Sequence, residues 1–596
     1  MPPPPHARPY RRAKTAGHGR IPVRIRRIDG AGGSIGDLDG LLRRIYVSRG
    51  ADANGAGGLA DLLPAQALRG IAAAAELLAD RIQAGDALLI VGDFDADGAT
   101  GTAVGVLGLR ALGAARVEYL TPSRFKHGYG LSPAVVDIAA ERRPDLLITV
   151  DNGIASLAGV GRAHEYGIPV LVTDHHLPGA ELPAAAAIVN PNQPGCGFPS
   201  KHLAGVGVMF YLLAATRAVL RARGWFRPGR PEPNLAELLD LVALGTVADV
   251  VTLDANNRIL VDQGLRRLRA GRCRHGLRAL LEIAGVRVER VTARDLGFAA
   301  APRLNAAGRL EDMSIGVECL IADDPVRAMQ LARRLHALNG ERRDIEAGMR
   351  EEAERLIERI AAETDGAPLP AGLCLFGEGW HQGVIGIVAA RVRERHNRPV
   401  IVFADGGDGR LRGSARSVDG LHVRDCIDAV DKRYPGLIER FGGHAMAAGL
   451  TLRRDGFETF RGAFADEVRR ALGDAPAVRE LLSDGELPGG LLTLPTAEAL
   501  RLAGPWGKGF AEPLFDGPFE IIGASVVNDQ HLKLRARAPG GLPLEAIGFF
   551  LAEHKTGLGE QARLAYRLDV NEYRGLRAPQ LLLEHVEPVG GQEPPP

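Results

Sequence analysis

Residues 91–100 read VGDFDADGAT, with carboxylates at Asp93, Asp95 and Asp97 and a glycine, Gly98, directly after them. Three like charges this close repel one another and raise one another's pKa unless a cation lies among them. Two more segments pass from an apolar run into acid. LLITV (146–150) leads into Asp151-Asn152-Gly153, and PVLVT (169–173) leads into Asp174-His175-His176. Carboxylates with an imidazole are a ligand set for Mn²⁺ or Mg²⁺. Two such ions about 3.5–4 Å apart can clamp the attacking and leaving oxygens of phosphoryl chemistry. In an extended run, positions i, i+2 and i+4 share a face, so the three aspartates would aim at the same ions. Extended His175 and His176 would point opposite ways, so that one can bind metal while the other faces substrate or the residues behind the ligands. Gly98 would free the backbone to enter a helix whose first amides meet an anion.

Three other readings fall away. A solvated acidic loop accounts for one such run but not for three strand ends. A calcium loop beginning D-x-D-x-D-G needs a bidentate Glu at its twelfth position, where this chain has Val104. Gly92, Gly98 and Gly101 do not make G-x-G-x-x-G, and three aspartates would repel a dinucleotide's pyrophosphate.

The elements that must position these acids are legible around them. ALLIV (87–91), LLITV, PVLVT and AAIVN (186–190) read as buried strands, and GATGTAVGVLGLRALG (98–113) as a helix. Strand–helix alternation predicts a parallel, doubly wound sheet with the acids on its carboxyl rim. LAELLDLVALGTVADVV (235–251) reads as a helix running into a loop. From Pro325 to about Ile360 apolar residues recur near the helical period. GLCLF (372–376) and PVIVF (399–403) predict strands on either side of a helix, hence a second α/β unit. After about Phe510 short alternating segments between turns predict a small barrel or sandwich.

Length and composition set the frame. A chain of 596 residues holds three or four domains. A net charge of +1 excludes a protein basic throughout, so any phosphate-binding surface is a local patch. The five cysteines, Cys196, Cys273, Cys319, Cys374 and Cys426, form no C-x-x-C pair, which argues against zinc and disulfides and fits a reducing cytoplasm. The Pro-rich basic start lacks the apolar core of a secretory signal and reads as a disordered tail, as does VGGQEPPP at the other end. No run of about twenty apolar residues is expected to span a membrane.

Further groups could meet phosphate. PRLNAAGRL (302–310) offers Arg303, Asn305 and Arg309, although a capping loop with solvated arginines has the same composition. His381 and Gln382 precede Gly383 at a helix start. GSARS supplies Ser414, Arg416 and Ser417, and FGGHAMAAG supplies Gly442, Gly443 and His444 unless it is a turn between helices. Trp380 reads as core rather than as a base-stacking residue.

VGDFDADGATGTA, TVDNGI, VTDHHLPG and LVALGTVADVV resemble the four successive motifs of the DHH phosphoesterase superfamily. RFKHGYGLS, FPSKHLAGVGV, PRLNAAGRL, WHQGVIGIVAARV, GSARS and FGGHAMAAGL are similar to its bacterial single-strand-specific DNA exonucleases. The resemblance runs from about Ala87 to the end of the chain. It implies a tail and lead-in (1–45), a DHH domain (46–310), a connecting helix (311–363), a DHH-associated domain (364–475) and an OB-fold-like domain (476–590). It implies metal ligands at Asp95, Asp97, Asp151, His175 and Asp249, with Asp93 a ligand or just behind one. Asp151 would bridge two Mn²⁺ or Mg²⁺ ions, His176 would face the scissile phosphate, and Asp174 would orient the site. A water activated by metal would be the nucleophile.

The implied activity is 5′→3′ hydrolysis of single-stranded DNA to 5′-mononucleotides, in DNA repair and recombination. The implied setting is a cytoplasmic monomer working with single-stranded DNA-binding protein and a RecQ-type helicase, away from membranes. Two alternatives use the same residues: a hydrolase of short oligonucleotides or cyclic dinucleotides, and a non-catalytic single-stranded-DNA-binding scaffold. One departure stands out. Ala415 replaces the glycine common in the family's form of GSARS, and its methyl group would tighten the approach to phosphate.

Overall fold

The computed structural model describes residues 23–28, 37–53, 55–363, 369–473, 479–573 and 575–588. The N-terminal tail before residue 23 and the VGGQEPPP end, both expected to be disordered, lie outside the described residues. The chain forms two compact units. One comprises Arg27–Asp344 with Ser483–Pro596, and the other Met1–Arg26 with Ile345–Leu482.

The first unit holds a five-stranded sheet of β1 (Ala87–Gly92), β2 (Arg116–Leu120), β3 (Leu146–Val150), β4 (Val170–Thr173) and β5 (Ala187–Val189). Its order is β2-β1-β3-β4-β5 and every pairing is parallel. Four of these strands were expected from their unbroken apolar runs. The fifth, RVEYL, was missed because it lies at the edge, where Arg116 and Glu118 face solvent and Val117 is its one fully buried residue. Leu88, Ile90 and Ile148 join the core with helices α1 (Ala96–Leu112) and α2 (Gly205–Ala222). Leu89, Val91, Leu147 and Val172 face the opposite way, toward Val135, Val136, Val160 and Ala163. Both faces are covered by helices, which is the doubly wound arrangement.

Helix α2, of 18 residues, is long and apolar enough by composition to cross a membrane, but Val206, Met209, Leu212 and Leu213 are packed in the core. Helix α3 (Leu239–Ala248) ends at Asp249, and PRLNAAGRL forms helix α4 (Ala301–Leu310), not a capping loop. A helix of 39 residues follows, Pro325–Glu363.

The second unit carries β6 (Leu373–Phe376), helix α5 (Ile385–His396), β7 (Val400–Gly407), β8 (Arg410–Arg416), β9 (Ile438–Gly443) and β10 (Ala447–Arg453). The order is β9-β10-β8-β7-β6, with β6 and β7 parallel and the rest antiparallel. Trp380 is core, and its indole N–H donates to Glu352 at 2.7 Å. Ala415 sits between Ile401 and Ala448 with its methyl fully buried, so that methyl fills the core and does not crowd a phosphate.

The C-terminal part of the first unit is a closed barrel of β11 (Phe515–Val527), β12 (His531–Arg537), β13 (Pro543–Gly548), β14 (Gln561–Tyr573) and β15 (Leu576–Pro588). Period-two alternation builds it: Leu532, Leu534 and Ala536 point in, while Lys533, Arg535 and Arg537 point out. The helix Leu38–Ser48, expected to be mostly lead-in, packs Leu41 and Ile45 into the barrel's core.

Candidate metal centre

The sheet order fixes where the acids meet. Chain crossovers leave β1 and β3 in opposite directions, so the crevice at their carboxyl ends is the topological switch point where open α/β sheets bind ligands. Asp93 follows β1, Asp151 follows β3, Asp174 follows β4, and α3 delivers Asp249 to the same place. Asp151 adopts φ +62°, a left-handed conformation that costs on the order of 1–3 kcal/mol for a residue other than glycine. Gly205 makes room for it, since a Cβ there would lie 2.6 Å from the Asp151 Cβ.

The acidic run is not extended throughout. Asp95 caps α1, its Oδ1 accepting the Asp97 and Gly98 amides at 3.0 Å each. The Ala96 amide donates to Asn305 Oδ1 at 2.9 Å, and the Ala99 amide to the Asp95 carbonyl at 2.9 Å. Two expectations are corrected here. The aspartates do not share one face of a strand, because Asp97 lies in the helix. The first-turn amides are also all occupied, leaving none for an anion. Gly98 serves close packing, not a turn: a Cβ on it would be 2.5 Å from the Asp93 carbonyl oxygen. The Asp97 carboxylate receives the first two amides of α2, Gly205 at 2.7 Å and Val206 at 3.0 Å.

His175 Nε2 lies 3.0 Å from Asp151 Oδ1, 3.5 Å from Asp249 Oδ2 and 4.0 Å from Asp97 Oδ2. Three sets place their ligand atoms within 4.8 Å of one another: Asp151, His175 and His176; Asp97, His175 and Asp249; Asp93, Asp95 and Asp151. Every expected ligand therefore arrives at one place. The imidazoles do not diverge as an extended pair would. Their centroids are 4.5 Å apart, and His176 Nδ1 lies 3.9 Å from Asp151.

Asp174 holds this turn. Its Oδ1 accepts the amides of His175 (2.7 Å) and His176 (3.1 Å) and lies 2.8 Å from His176 Nδ1, while Oδ2 accepts the Ile154 amide at 2.9 Å. The Tyr129 hydroxyl reaches His176 Nδ1 at 2.9 Å and the Asp151 carbonyl at 3.1 Å. Asn190 and Asn192 donate to the carbonyls of His176 and His175.

Burial raises the pKa of Asp93 and Asp97, Asp97 to about 7, and the neighbouring Asp95 charge adds to both. Burial likewise raises Asp151 and Asp249, with Asp97 adding to each. Burial and the His176 charge bring His175 down to about 4, which keeps a neutral imidazole lone pair available. For Asp174, burial pushes up but the His176 hydrogen bond and charge outweigh it, and the pKa falls. For His176, burial pushes down but the hydrogen bond to Asp174 wins, and the pKa rises to about 9. Asp151 Oδ1 and His175 Nε2 are both buried, with no hydrogen-bond partner among the described residues. Several mutually repelling carboxylates, one neutral imidazole and orphaned ligand atoms fit hard divalent cations.

The expected phosphate ligands sort differently. Arg303 is buried: its Nη1 donates to the Ala299 carbonyl at 2.5 Å and its Nε to His336 at 3.2 Å. Through these two bonds it braces the π-helical turn Leu296–Ala300. Asn305 positions the acid loop through Ala96, and Arg309 is half-buried on the same helix. Helix α4 rides directly on that loop, since a Cβ on Gly308 would be 1.8 Å from the Phe94 carbonyl oxygen.

In the second unit, His381 Nδ1 accepts the Gly383 amide at 3.1 Å. Gln382 donates to the Asp405 carbonyl and accepts from Arg412. Ser414 and Arg416 share a face of β8 against the first turn of α5, and Arg416 donates to the Ser414 hydroxyl at 3.1 Å. Ser417 is buried and its hydroxyl donates to the Leu421 carbonyl at 2.8 Å. Gly442, Gly443 and His444 form the tip of the β9–β10 hairpin, not a turn between helices. There Gly443 takes φ +142°, and a Cβ would be 2.5 Å from the Ala447 carbonyl oxygen.

Sequence reading missed Tyr129, although RFKHGYGLS contains it. It also missed Arg124, whose guanidinium lies 4.2 Å over the Phe94 ring beside the acids. No sequence signal marked Lys508, whose charge acts on Asp249.

The model of the DHH family, N-terminal domain, matches residues 87–246, that of the DHHA1 domain 370–470, and that of the RecJ OB domain 483–585. Single-stranded-DNA-specific exonuclease RecJ of Dickeya dadantii is 54% identical over 93% of this chain and 96% of its own length. The RecJ of Escherichia coli is 50% identical over 96% of this chain and 100% of its own. Among solved structures, RecJ from Thermus thermophilus in complex with Mn²⁺ superposes with a TM-score of 0.76 at 31% identity, covering 93% of this chain and 76% of that one. The same protein in complex with Mg²⁺ gives 0.70 at 29% identity, covering 94% and 75%.

Proposed function

The chain belongs to the RecJ family of the DHH superfamily, and from that premise we propose a direction of attack, a product and a role for each site residue. The chain is a metal-dependent exonuclease specific for single-stranded DNA, and it uses Mn²⁺ or Mg²⁺. We infer that it starts at the 5′ end and releases 5′-mononucleotides, in the service of DNA repair and recombination. The observation that carries the reading is the convergence of Asp93, Asp95, Asp97, Asp151, His175 and Asp249 on one rim, with orphaned ligand atoms at Asp151 and His175.

Asp95, Asp97, Asp151, His175 and Asp249 would hold the metal ions. Asp93 completes the group that contains Asp95 and Asp151. Bound there, the ions lower the pKa of water and neutralise charge building on the phosphate. The protein's own part is positional. Asp174 and Tyr129 fix the His176 ring, and Asp174 keeps it cationic, suited to face a phosphate oxygen. Helix α4, through Asn305 and Gly308, holds the acid loop in place. Ser414, Arg416 and the Gly442–His444 tip are the phosphate-binding candidates of the second unit, and Arg309 is a candidate in the first.

The division of labour follows the domains: metals in residues 46–310, anion contacts in 364–475 after the connecting helix 311–363, and a grip on the strand from the barrel in 476–590. The setting that fits is a cytoplasmic monomer working with single-stranded DNA-binding protein and a RecQ-type helicase.

The test uses single strands labelled at the 5′ or the 3′ end, incubated with Mn²⁺ or with EDTA. The 5′ label should leave first, as a mononucleotide, and EDTA should stop the reaction. Loss beginning at the 3′ end, or persisting in EDTA, overturns the reading. A dinucleotide hydrolysed faster than a long strand favours the small-substrate alternative.

A further inference from the structure

The segment Gly504–Phe510, which leads into the barrel, is held stiffly. Trp506 and Phe510 stack with centroids 5.3 Å apart, and Tyr46 stacks on both at 6.3 and 6.4 Å. The Arg258 guanidinium lies 4.1 Å over Phe510, and the Trp506 indole donates to the Leu500 carbonyl at 2.8 Å. Gly507 and Phe510 exchange backbone hydrogen bonds of 2.9 and 3.1 Å.

The tip of this loop is docked just past Asp249. The Lys508 carbonyl accepts the Leu253 amide at 2.8 Å. Gly509, at φ +74°, packs so closely that a Cβ would be 2.5 Å from Thr252 Cγ2, and a Cβ on Gly507 would be 2.7 Å from Leu253 Cδ1. The turn between Asp249 and Thr252 is itself unusual: Val250, β-branched and exposed, takes φ +58°, a conformation that persists only where the surroundings enforce it. The docked backbone therefore presents an exposed lysine next to the turn that follows Asp249. Among the described residues no hydrogen bond or ion pair engages its ammonium. Asp249 feels that charge.

We propose that Lys508 contacts a backbone phosphate of the single strand beside the metal centre, so that the loop leading into the barrel supplies part of the active site. A nest of carboxylates repels a polyanion wherever ions do not neutralise it. A compact ammonium on a flexible stem, fixed at its base, suits a phosphate oxygen at that edge. The contact rests on the single-stranded-DNA reading above and adds a residue from outside every motif of the sequence.

The test compares wild type with Lys508→Ala and Lys508→Arg, first confirmed to share its melting temperature. Equilibrium binding of a 3′-fluorescent oligonucleotide in EDTA is measured against salt, and cleavage in Mn²⁺ against substrate concentration. Loss of one phosphate contact should lower the slope of log K against log salt by about 0.7. KM should rise several-fold in Lys508→Ala, with Arg restoring most of it. In a scan of single methylphosphonate linkages, one position should weaken wild type and leave Lys508→Ala unaffected. An unchanged slope with a scan identical to wild type overturns the proposal. So does altered Mn²⁺ affinity at an unchanged slope, which assigns Lys508 to tuning Asp249. A wild-type chain that bound no single strand would overturn the substrate reading itself, and the Lys508 contact with it.

Discussion

His175 Nε2 and Asp151 Oδ1 lie 3.0 Å apart, both buried, and among the described residues neither makes a hydrogen bond. Buried polar atoms are nearly always paired, and an unpaired one costs about 1–3 kcal/mol. A divalent cation held by these residues would satisfy both. Replacing Asp151 with Ala should cut cleavage by at least about a thousandfold, the scale of losing metal-assisted phosphoryl chemistry. Single-strand binding should persist. Unchanged cleavage in that variant would refute the metal assignment.

The same crowding makes stability depend on pH. Asp97 is raised to about 7, and Asp93, Asp151 and Asp249 are raised well above the ordinary carboxylate range, chiefly by burial. The metal-free folded chain thus holds more protons than the unfolded chain between the ordinary carboxylate range and about pH 7, so its stability falls as pH rises through that window. Mn²⁺ needs the ionised acids, so the rise in melting temperature that it produces should grow over the same window. Scanning calorimetry with and without Mn²⁺ measures the difference. A Mn²⁺ effect constant with pH would contradict the assignment.

Asp174 holds His176 cationic up to about pH 9. Asp174→Asn keeps the shape but removes the charge, so the imidazole should lose its proton at lower pH. The basic limb of the pH–rate profile should move down with it. A limb unmoved by the substitution would mean that His176 acts without its charge.

Gly308 is, with Asn305, one of the two contacts through which α4 bears on the acid loop. Gly308→Ala forces a Cβ onto the Phe94 carbonyl, an overpacking that typically costs about 1–3 kcal/mol. Mn²⁺ affinity and cleavage should fall together. A variant with normal Mn²⁺ affinity would show that the loop does not depend on the Gly308 contact.

Much of this site could be read before the structure was seen, for physical reasons. The central strands are buried on both faces and so appear as unbroken apolar runs, and an acid at the end of each marks the rim. The edge strand Arg116–Leu120 alternates with solvent and gave no such signal. The ligand set was legible because residue type limits what binds a hard cation. Its geometry was not, because Asp95 turns into a cap and draws Asp97 into the helix. Arg303 carries a composition that suits phosphate but a burial that suits bracing. Lys508 lies far along the chain from Asp249, and only the docking of its loop on Thr252 and Leu253 brings the two together.

The measurement that tests the central claim most directly is a count of Mn²⁺ ions bound at equilibrium to EDTA-stripped protein, made beside cleavage of a single strand in the same samples. The account predicts two ions per chain in wild type, cleavage that appears as they bind, and loss of both tight binding and cleavage in Asp151→Ala. Full-speed cleavage by the stripped protein, or by Asp151→Ala, would contradict it.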